Sequence, residues 1–218
     1  MPWGYDRCVS DRGTYAAGMT SSSRPGLPGR AEVSVRPASA ADAEAIARVQ
    51  LVTWRTAYRG LLPPAVLDDW DEPAVVEAWR AAAVSPPTPG HSLLVALDGT
   101  VVAGFAAVTP AELASGEQSL AEGATHEVTA LLVEPRWGRR GHGSRLLAAA
   151  VDLAAAMDVV RLQMWLPEAD TVTARFLEQA GWAPDGWARS LDSGGTTVRQ
   201  LRWHTWTDAA SDDDRGVQ

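Results

Sequence analysis

The segment from residue 135 to residue 145 combines glycines and arginines in a pattern that suits a phosphate ligand. It reads PRWGRRGHGSR and carries four of the 19 arginines in the chain. Gly141 and Gly143 allow a ligand to approach the backbone closely, and free N–H groups at the start of a helix attract anions. Because the whole chain has a net charge of −8, this local positive charge indicates a polyphosphate. A solvent-exposed turn is the alternative interpretation.

The elements on either side place this segment between a strand and a helix. Residues 128–133 form an apolar strand, and residues 144–157 have the period of an amphipathic helix with Leu146 and Leu147 on one face. Residues 159–165 form the next strand. Leu146 stands where the dinucleotide-binding pattern G-x-G-x-x-G needs a glycine, so that pattern is not met.

The rest of the chain alternates between helical and strand patterns. The predicted elements are a strand at 33–35, a helix ending near Tyr58, a helix at 72–83, strands at 93–97 and 100–108, a helix at 171–180, and strands at 182–190 and 197–206. Ser39 and Asp42 form a capping pair for the first helix, and Asp98-Gly99 is typical of a hairpin turn. The sequence therefore predicts an α+β fold with a mostly antiparallel sheet and one strand–loop–helix–strand unit.

Composition and the chain ends limit the class of protein. With 46% hydrophobic residues, the 218 residues can fill one core. We expect a disordered leader at 1–30, a folded domain at 31–206 and a disordered acidic tail at 207–218, with Met19 as an alternative start. The single cysteine, Cys8, and the lack of a continuous apolar run predict a cytoplasmic protein without a secretory signal or membrane span.

Charge and residue types exclude several functions. The net charge of −8 argues against binding to nucleic acids or anionic membranes, and it mildly favours a cationic substrate such as an amine. The chain contains no lysine, which excludes a Schiff-base lysine and a Walker-type phosphate loop. We predict no metal site.

Two stretches resemble the acetyl-CoA signature of the GNAT superfamily of N-acetyltransferases. They are EVTALLVEP at residues 127–135 and RRGHGS at residues 139–144. Further matching segments are WRTAYRGLLP at 54–63, ARF at 174–176 and GW at 181–182. The similarity extends over about residues 31–206. It implies a twisted, mostly antiparallel sheet of six or seven strands, splayed at its middle and flanked by about four helices.

The resemblance also implies where acetyl-CoA, the cosubstrate, would bind. The backbone of Leu131, Leu132 and Val133 would pair with the pantetheine arm and face the acetyl carbonyl. The pyrophosphate would lie on the backbone amides of Arg139, Arg140, Gly141, His142, Gly143 and Ser144. The family pattern starts with Gln or Arg, and Gly138 stands there instead, which removes a side-chain contact but no amide. We expect His142, in place of a small apolar residue, to be a loop residue near the phosphate.

A carboxylate stands at the head of the predicted cofactor strand. Acylation needs a neutral amine, and an amine with a pKa near ~10 is mostly protonated at neutral pH, so a base helps. Many members of the superfamily place a carboxylate that acts through water at this position, which here is Glu127. The alternatives are a solvated carboxylate without a role, or His126 or His91 as the base.

The tyrosine that protonates the departing thiolate in many members is replaced here by Leu177. Tyr58 is another candidate acid, and Trp54, Tyr58 and Trp70 would either wall the acceptor pocket or pack in the core. The resemblance implies an N-acetyltransferase that transfers an acetyl group to an amine of a small molecule or peptide by direct attack, with a homodimer as one option. A catalytically poor acyl-CoA-binding module, sensory or regulatory, is the alternative.

Removing residues 1–30 should leave the melting temperature and CoA binding nearly unchanged, because that stretch has no apolar period with which to pack on a domain. Thermal denaturation and calorimetry of the full and shortened chains are the measurements. A large fall in melting temperature on truncation would show that the leader packs on the domain.

Overall fold

A computed structural model describes residues 33–57, 67–114, 116–118, 123–193 and 196–207. The predicted leader with Cys8 and Met19, the candidate acid Tyr58, and the acidic tail beyond Thr207 lie outside the described residues. Among the helices within these ranges, none combines the length and the apolar character needed to cross a membrane.

Seven strands lie in one sheet within the described ranges. In chain order they are β1 (Val33–Pro37), β2 (Ser92–Asp98), β3 (Val101–Pro110), β4 (Ala124–Val133), β5 (Val159–Pro167), β6 (Ala183–Ser193) and β7 (Thr196–Trp206). Their order across the sheet is β1-β2-β3-β4-β5-β7-β6. β4 and β5 are parallel and the other neighbours are antiparallel, which confirms the predicted sheet.

Four α-helices flank this sheet in the described part of the chain. They are α1 (Ala43–Thr56), α2 (Glu72–Val84), α3 (His142–Ala155) and α4 (Thr171–Gln179). Ser39 and Asp42 form the predicted capping box before α1, and hydrogen bonding from Arg36 lowers the pKa of Asp42 to about 2. α3 begins two residues earlier than predicted, because Gly141 takes a left-handed conformation with φ 81° and serves as its N-cap.

The helices bury an apolar core on each face of the sheet. α3 and α4 cover one face, where Leu146, Leu162 and Trp182 are buried together. α1 and α2 cover the other face over β2, β3 and β4, where Ile46 and Phe105 are buried. Because side chains alternate along β5, the polar residues between its core positions lie on the second face of the sheet.

β4 and β5 are paired only over the first part of β4. Their pairing ends where Glu127 faces Gln163. Beyond that point β4 pairs with β3 and β5 pairs with β7. A β-bulge at Thr129 disturbs the register between β3 and β4 just after Glu127, and such an extra residue bends a strand and increases its twist. The sheet is therefore splayed at its middle, as the resemblance implied.

Four charged side chains form a buried charge cluster on β5, β7, β6 and the β3–β4 connection: Arg161, Arg202, Asp185 and Glu117. Arg202 is only 1% exposed, and it donates Nη1 to Glu117 Oε2 and Nε to Asp185 Oδ2, both at 2.7 Å. Arg161 pairs with Asp185 as well. Since Glu117 follows β3, its bond to Arg202 fixes the β3–β4 connection against the sheet.

Replacing Arg202 with Met should lower the free energy of unfolding by about 3–5 kcal/mol, because Glu117 and Asp185 would stay buried without their cation. Arg199→Met is the matched control on the same strand, since Arg199 pairs with Glu168 on the surface, both about half exposed. That control should cost at most about 1 kcal/mol. Urea denaturation followed by circular dichroism measures both, and equal losses would contradict the buried role of Arg202.

Candidate active site

The predicted phosphate loop is a turn with two left-handed residues that leads into α3. A 3-10 turn, Pro135–Trp137, follows β4. Arg139 and Gly141 then have φ values of 61° and 81°, and alternation of this kind can direct successive N–H groups toward one anion. Within the described ranges, the N–H groups of residues 139–144 donate to no other residue. These amides are available to a ligand.

The His142 side chain lies inside the protein rather than on the surface of this loop. The imidazole is 1% exposed, and its Nε2 lies 3.4 Å from Asp98 Oδ2. Its ring also packs edge-on against Trp137, with 6.2 Å between the ring centroids. The structure therefore corrects the expectation of a loop residue, because His142 is the first residue of α3. Its ring is buried between Trp137 and Asp98, and neither ring nitrogen makes a hydrogen bond with a described residue. The nearness of the His142 amide to a phosphate stays a prediction.

The loop arginines surround the free amides with positive charge. Arg145 donates Nη1 to the carbonyl of Arg140 at 3.1 Å, and Arg140 Nη1 lies 3.7 Å from Asp98 Oδ2. Arg139 is exposed and forms no ion pair with a residue in the described ranges. Arg139, Arg140 and Arg145 therefore add positive charge to this exposed loop, which favours an anion.

Leu131 and Val133 direct their backbone groups into the gap between β4 and β5. The Leu132 carbonyl faces β3 instead, since a Cβ placed on Gly104 would lie 2.6 Å from that oxygen. Neighbouring residues of a strand alternate in this respect, and the Val133 carbonyl accepts a bond from the Thr53 hydroxyl at 3.5 Å. Leu132 therefore differs from the expectation for a cofactor contact, because its backbone pairs with β3.

Gly143, Val133 and Phe176 meet where the phosphate loop joins the gap. A Cβ placed on Gly143 would lie 3.6 Å from Phe176 Cζ and 3.8 Å from Val133 Cγ2. These are ordinary contact distances, so a single methyl group fits. A branched side chain would have to extend beyond them, into the path between the loop and the gap.

Glu127 lies at the point where β4 and β5 separate. Its side chain is partly buried, and Gln163 donates Nε2 to Glu127 Oε2 at 3.1 Å. Burial raises the pKa of the Glu127 carboxyl, and the hydrogen bond from Gln163 opposes this rise without cancelling it. An open cavity of about 330 Å³ borders Gln163 on the side of the β3–β4 connection. Gln163, which holds the carboxylate in place, therefore also borders space for a small molecule.

The two histidines proposed as alternative bases lie together, apart from this carboxylate. His126 precedes Glu127 in β4, so their side chains lie on opposite faces of the sheet. His126 is buried, and burial lowers its pKa. Burial also lowers the pKa of His91, whose Nδ1 shares a 2.8 Å hydrogen bond with the Thr88 hydroxyl. In the described residues, no group of three or more His, Cys, Asp or Glu is arranged to hold a metal ion.

Sequence reasoning missed an arginine that lies near Glu127. The Arg189 guanidinium lies 4.4 Å above the ring of Trp165, and its Nε donates to Gln200 Oε1 at 2.7 Å. A signal was present in β5, where Arg161, Gln163 and Trp165 interrupt an otherwise apolar strand at every second position. That spacing places one polar face on a buried strand.

Leu177, which the resemblance places where many members have a tyrosine, lies on α4 and is fully buried in the apolar core. It cannot donate a proton. Trp54 packs edge-on against Trp70 at 5.8 Å between ring centroids, next to the undescribed residues 58–66. Trp54 also packs against the apolar core beneath α1, so the structure places it among the core aromatics, and a role in an acceptor pocket stays a prediction.

The model of the Acetyltransferase (GNAT) family matches residues 51–182, which is more than half of the chain. The chain therefore belongs to the GNAT acetyltransferase family, and it is an acyltransferase. The sequence resemblance is confirmed, and no curated protein sequence matches the chain.

Solved structures of similar fold agree with this assignment. The PaiA N-acetyltransferase of Thermoplasma acidophilum in complex with coenzyme A has 16% identity and a TM-score of 0.62, over 80% of this chain and 99% of that one. The yncA protein of Salmonella typhimurium, with its cofactor acetyl-CoA, has 17% identity and a TM-score of 0.59, over 81% of this chain and 94% of that one. The ribosomal-protein-alanine N-acetyltransferase of Brucella melitensis has 17% identity and a TM-score of 0.60, over 79% of this chain and 98% of that one. At these identities the similarity shows the fold.

Proposed function

We propose that this acyltransferase moves an acetyl group from acetyl-CoA to the amine of a small molecule or peptide by direct attack. The observation that carries the proposal is the position of Glu127, a partly buried carboxylate with a raised pKa where β4 and β5 separate. The family model lies inside residues 31–206, and we propose this range as the catalytic domain. The coenzyme A and acetyl-CoA complexes of similar structures support the choice of cosubstrate.

The residues of the loop and of β4 fit such a cosubstrate. The amides of residues 139–144 would hold the pyrophosphate, since they have no partner within the described ranges. The outward backbone groups of Leu131 and the N–H of Val133 would pair with the pantetheine arm in the manner of a neighbouring strand, whereas the Val133 carbonyl already accepts a bond from Thr53. Gly143 leaves the path between these two contacts open, because it has no side chain. Acetyl-CoA supplies the acyl group as a thioester.

Glu127 would accept the proton that the amine must lose. The nitrogen–carbon bond forms at the acetyl carbon and the carbon–sulfur bond breaks. Sulfur leaves as the thiolate of CoA, whose thiol has a pKa of about 8.5. A base works best when its pKa approaches the working pH, and burial moves the pKa of Glu127 in that direction. Gln163 keeps the carboxylate oriented toward the gap by its hydrogen bond.

The buried Leu177 favours a second candidate function. Without an acid at this position, the thiolate would leave unprotonated or take its proton from water. A catalytically poor acyl-CoA-binding module with a sensory or regulatory role would tolerate this loss. The two functions separate when thiol release is followed with a panel of amines, because a binding module holds CoA without turnover.

Replacing Gly143 with Val should weaken CoA binding at least about tenfold, because the branched side chain would intrude between the loop amides and the gap. Calorimetry with CoA measures the change. Ala148→Val is the matched control, because it introduces valine at an exposed position of α3 and should leave the affinity for CoA unchanged. Unchanged CoA affinity in a folded Gly143→Val protein would contradict the proposed phosphate site.

Replacing Glu127 with Gln should lower kcat/KM most at neutral pH, by roughly 10²- to 10⁴-fold, because the amide cannot take a proton. In the wild type, activity falls as the pH drops through the raised pKa of Glu127, so this acidic limb lies above the ordinary range of a glutamate. Higher pH should restore part of the lost rate, because more of the amine is then neutral. CoA affinity should not change.

The measurement is a pH–rate profile of both proteins with a responsive acceptor. Glu112→Gln is the matched control, since Glu112 is an exposed carboxylate whose charge contributes to the raised pKa of Glu127. Glu112→Gln should shift the acidic limb of the pH–rate profile slightly to lower pH and leave kcat/KM at neutral pH unchanged. Superimposable profiles for wild type and Glu127→Gln would assign the base to another group.

A further inference from the structure

Two opposite charges on the face of β4, β5 and β6 have no ionic partner of their own. Glu127 accepts a hydrogen bond from Gln163, which is neutral. Arg189 is fixed through Nε by Gln200, also neutral. The terminal nitrogens of Arg189, Nη1 and Nη2, form no hydrogen bond within the described ranges. They are therefore free to donate a pair of hydrogen bonds to a carboxylate.

The other buried charges on this face neutralise one another. Arg202 is bound to Glu117 and Asp185, and Arg161 is bound to Asp185. The exposed carboxylate of Glu112 lies at the solvent side. Among the partly buried charges of this region, a ligand therefore meets one unpaired anion, Glu127, and one unpaired cation, Arg189.

The spacing of these two charges suits a small molecule. Glu127 is held at Gln163, and Arg189 is held above Trp165, two residues further along the same face of β5. Two residues of a strand span roughly 7 Å. The two groups also act on each other, since Arg189 opposes the rise in the pKa of Glu127, and Glu127 opposes the fall in the pKa of Arg189 that burial causes.

We propose that the acceptor is a small amine that also carries a carboxylate, such as a free amino acid. Its amine nitrogen lies at Glu127 and its carboxylate is bound by the terminal nitrogens of Arg189. This inference rests on the proposed function, because it names the substrate class of the same site. Trp165 and Gln200 hold the guanidinium in place before the acceptor arrives, so little conformational freedom is lost on binding.

The test compares amino acids with their α-carboxamides, which keep the amine and remove the negative charge. Wild type should acetylate at least one amino acid with a kcat/KM at least tenfold above that of its carboxamide. Arg189→Gln should lower kcat/KM for the amino acid roughly 10- to 100-fold, the range for a lost charged hydrogen bond, and change the carboxamide less than about twofold. The kcat/KM of Arg189→Lys for the amino acid should lie between those of wild type and Arg189→Gln, because lysine keeps the positive charge but has no paired terminal N–H groups.

Arg199→Gln is the control for removing a cation from the same hairpin, since Arg199 lies on the surface beside Glu168. It should leave the ratio of amino acid to carboxamide unchanged. Comparing this ratio between proteins removes the difference in intrinsic reactivity of the two amines. The wild-type ratio is informative even where Arg189→Gln fails to fold, because it needs no variant.

The results separate this inference from the function on which it rests. Equal rates for amino acids and carboxamides, or a ratio that Arg189→Gln does not change, overturn the inference and leave an amine acetyltransferase. Acetylation restricted to amines without a carboxylate, such as spermidine or tyramine, overturns it as well. CoA binding by calorimetry without thiol release for any amine overturns both.

Discussion

Hydrogen bonding between β4 and β5 stops at the Glu127–Gln163 pair, and the rest of the site depends on this interruption. A continuous sheet would satisfy the backbone of Leu131 and Val133 with a neighbouring strand and leave no room for a ligand. The bulge at Thr129 turns β4 away while its pairing with β3 continues. The residue that ends the pairing is itself the carboxylate of Glu127, so the proposed base lies where the two strands separate.

The two ends of the gap are built on different principles. At the proposed phosphate end the candidate ligand groups are backbone amides, and the buried ring of His142 lies behind the loop, close to Asp98 of β2. At the proposed acceptor end the candidate ligand groups are side chains, held by neutral partners such as Gln163 and Gln200. Backbone amides are present whatever the side chains are, whereas side chains are free to differ with the acceptor.

The turn between β4 and α3 could be predicted because its signal is local: Gly141 supplies the left-handed conformation and the arginines supply the charge. Its role in phosphate binding stays a prediction. The position of Glu127 followed from the resemblance. The bulge at Thr129 and the orientation of Leu132 could not be predicted, because both depend on the register with β3. The burial of the His142 ring could not be predicted for a similar reason, since its neighbour Asp98 is distant in sequence. Arg189 escaped notice because Trp165 and Gln200, which hold it, lie on two other strands.

β7, which follows the six other described strands in the chain, lies between β5 and β6. β6 therefore joins the sheet only through β7. β7 also brings Arg202, which holds Glu117 and with it the β3–β4 connection. Because β7 is synthesised after β1–β6, the β3–β4 connection can be fixed against the sheet only once all seven strands have been made.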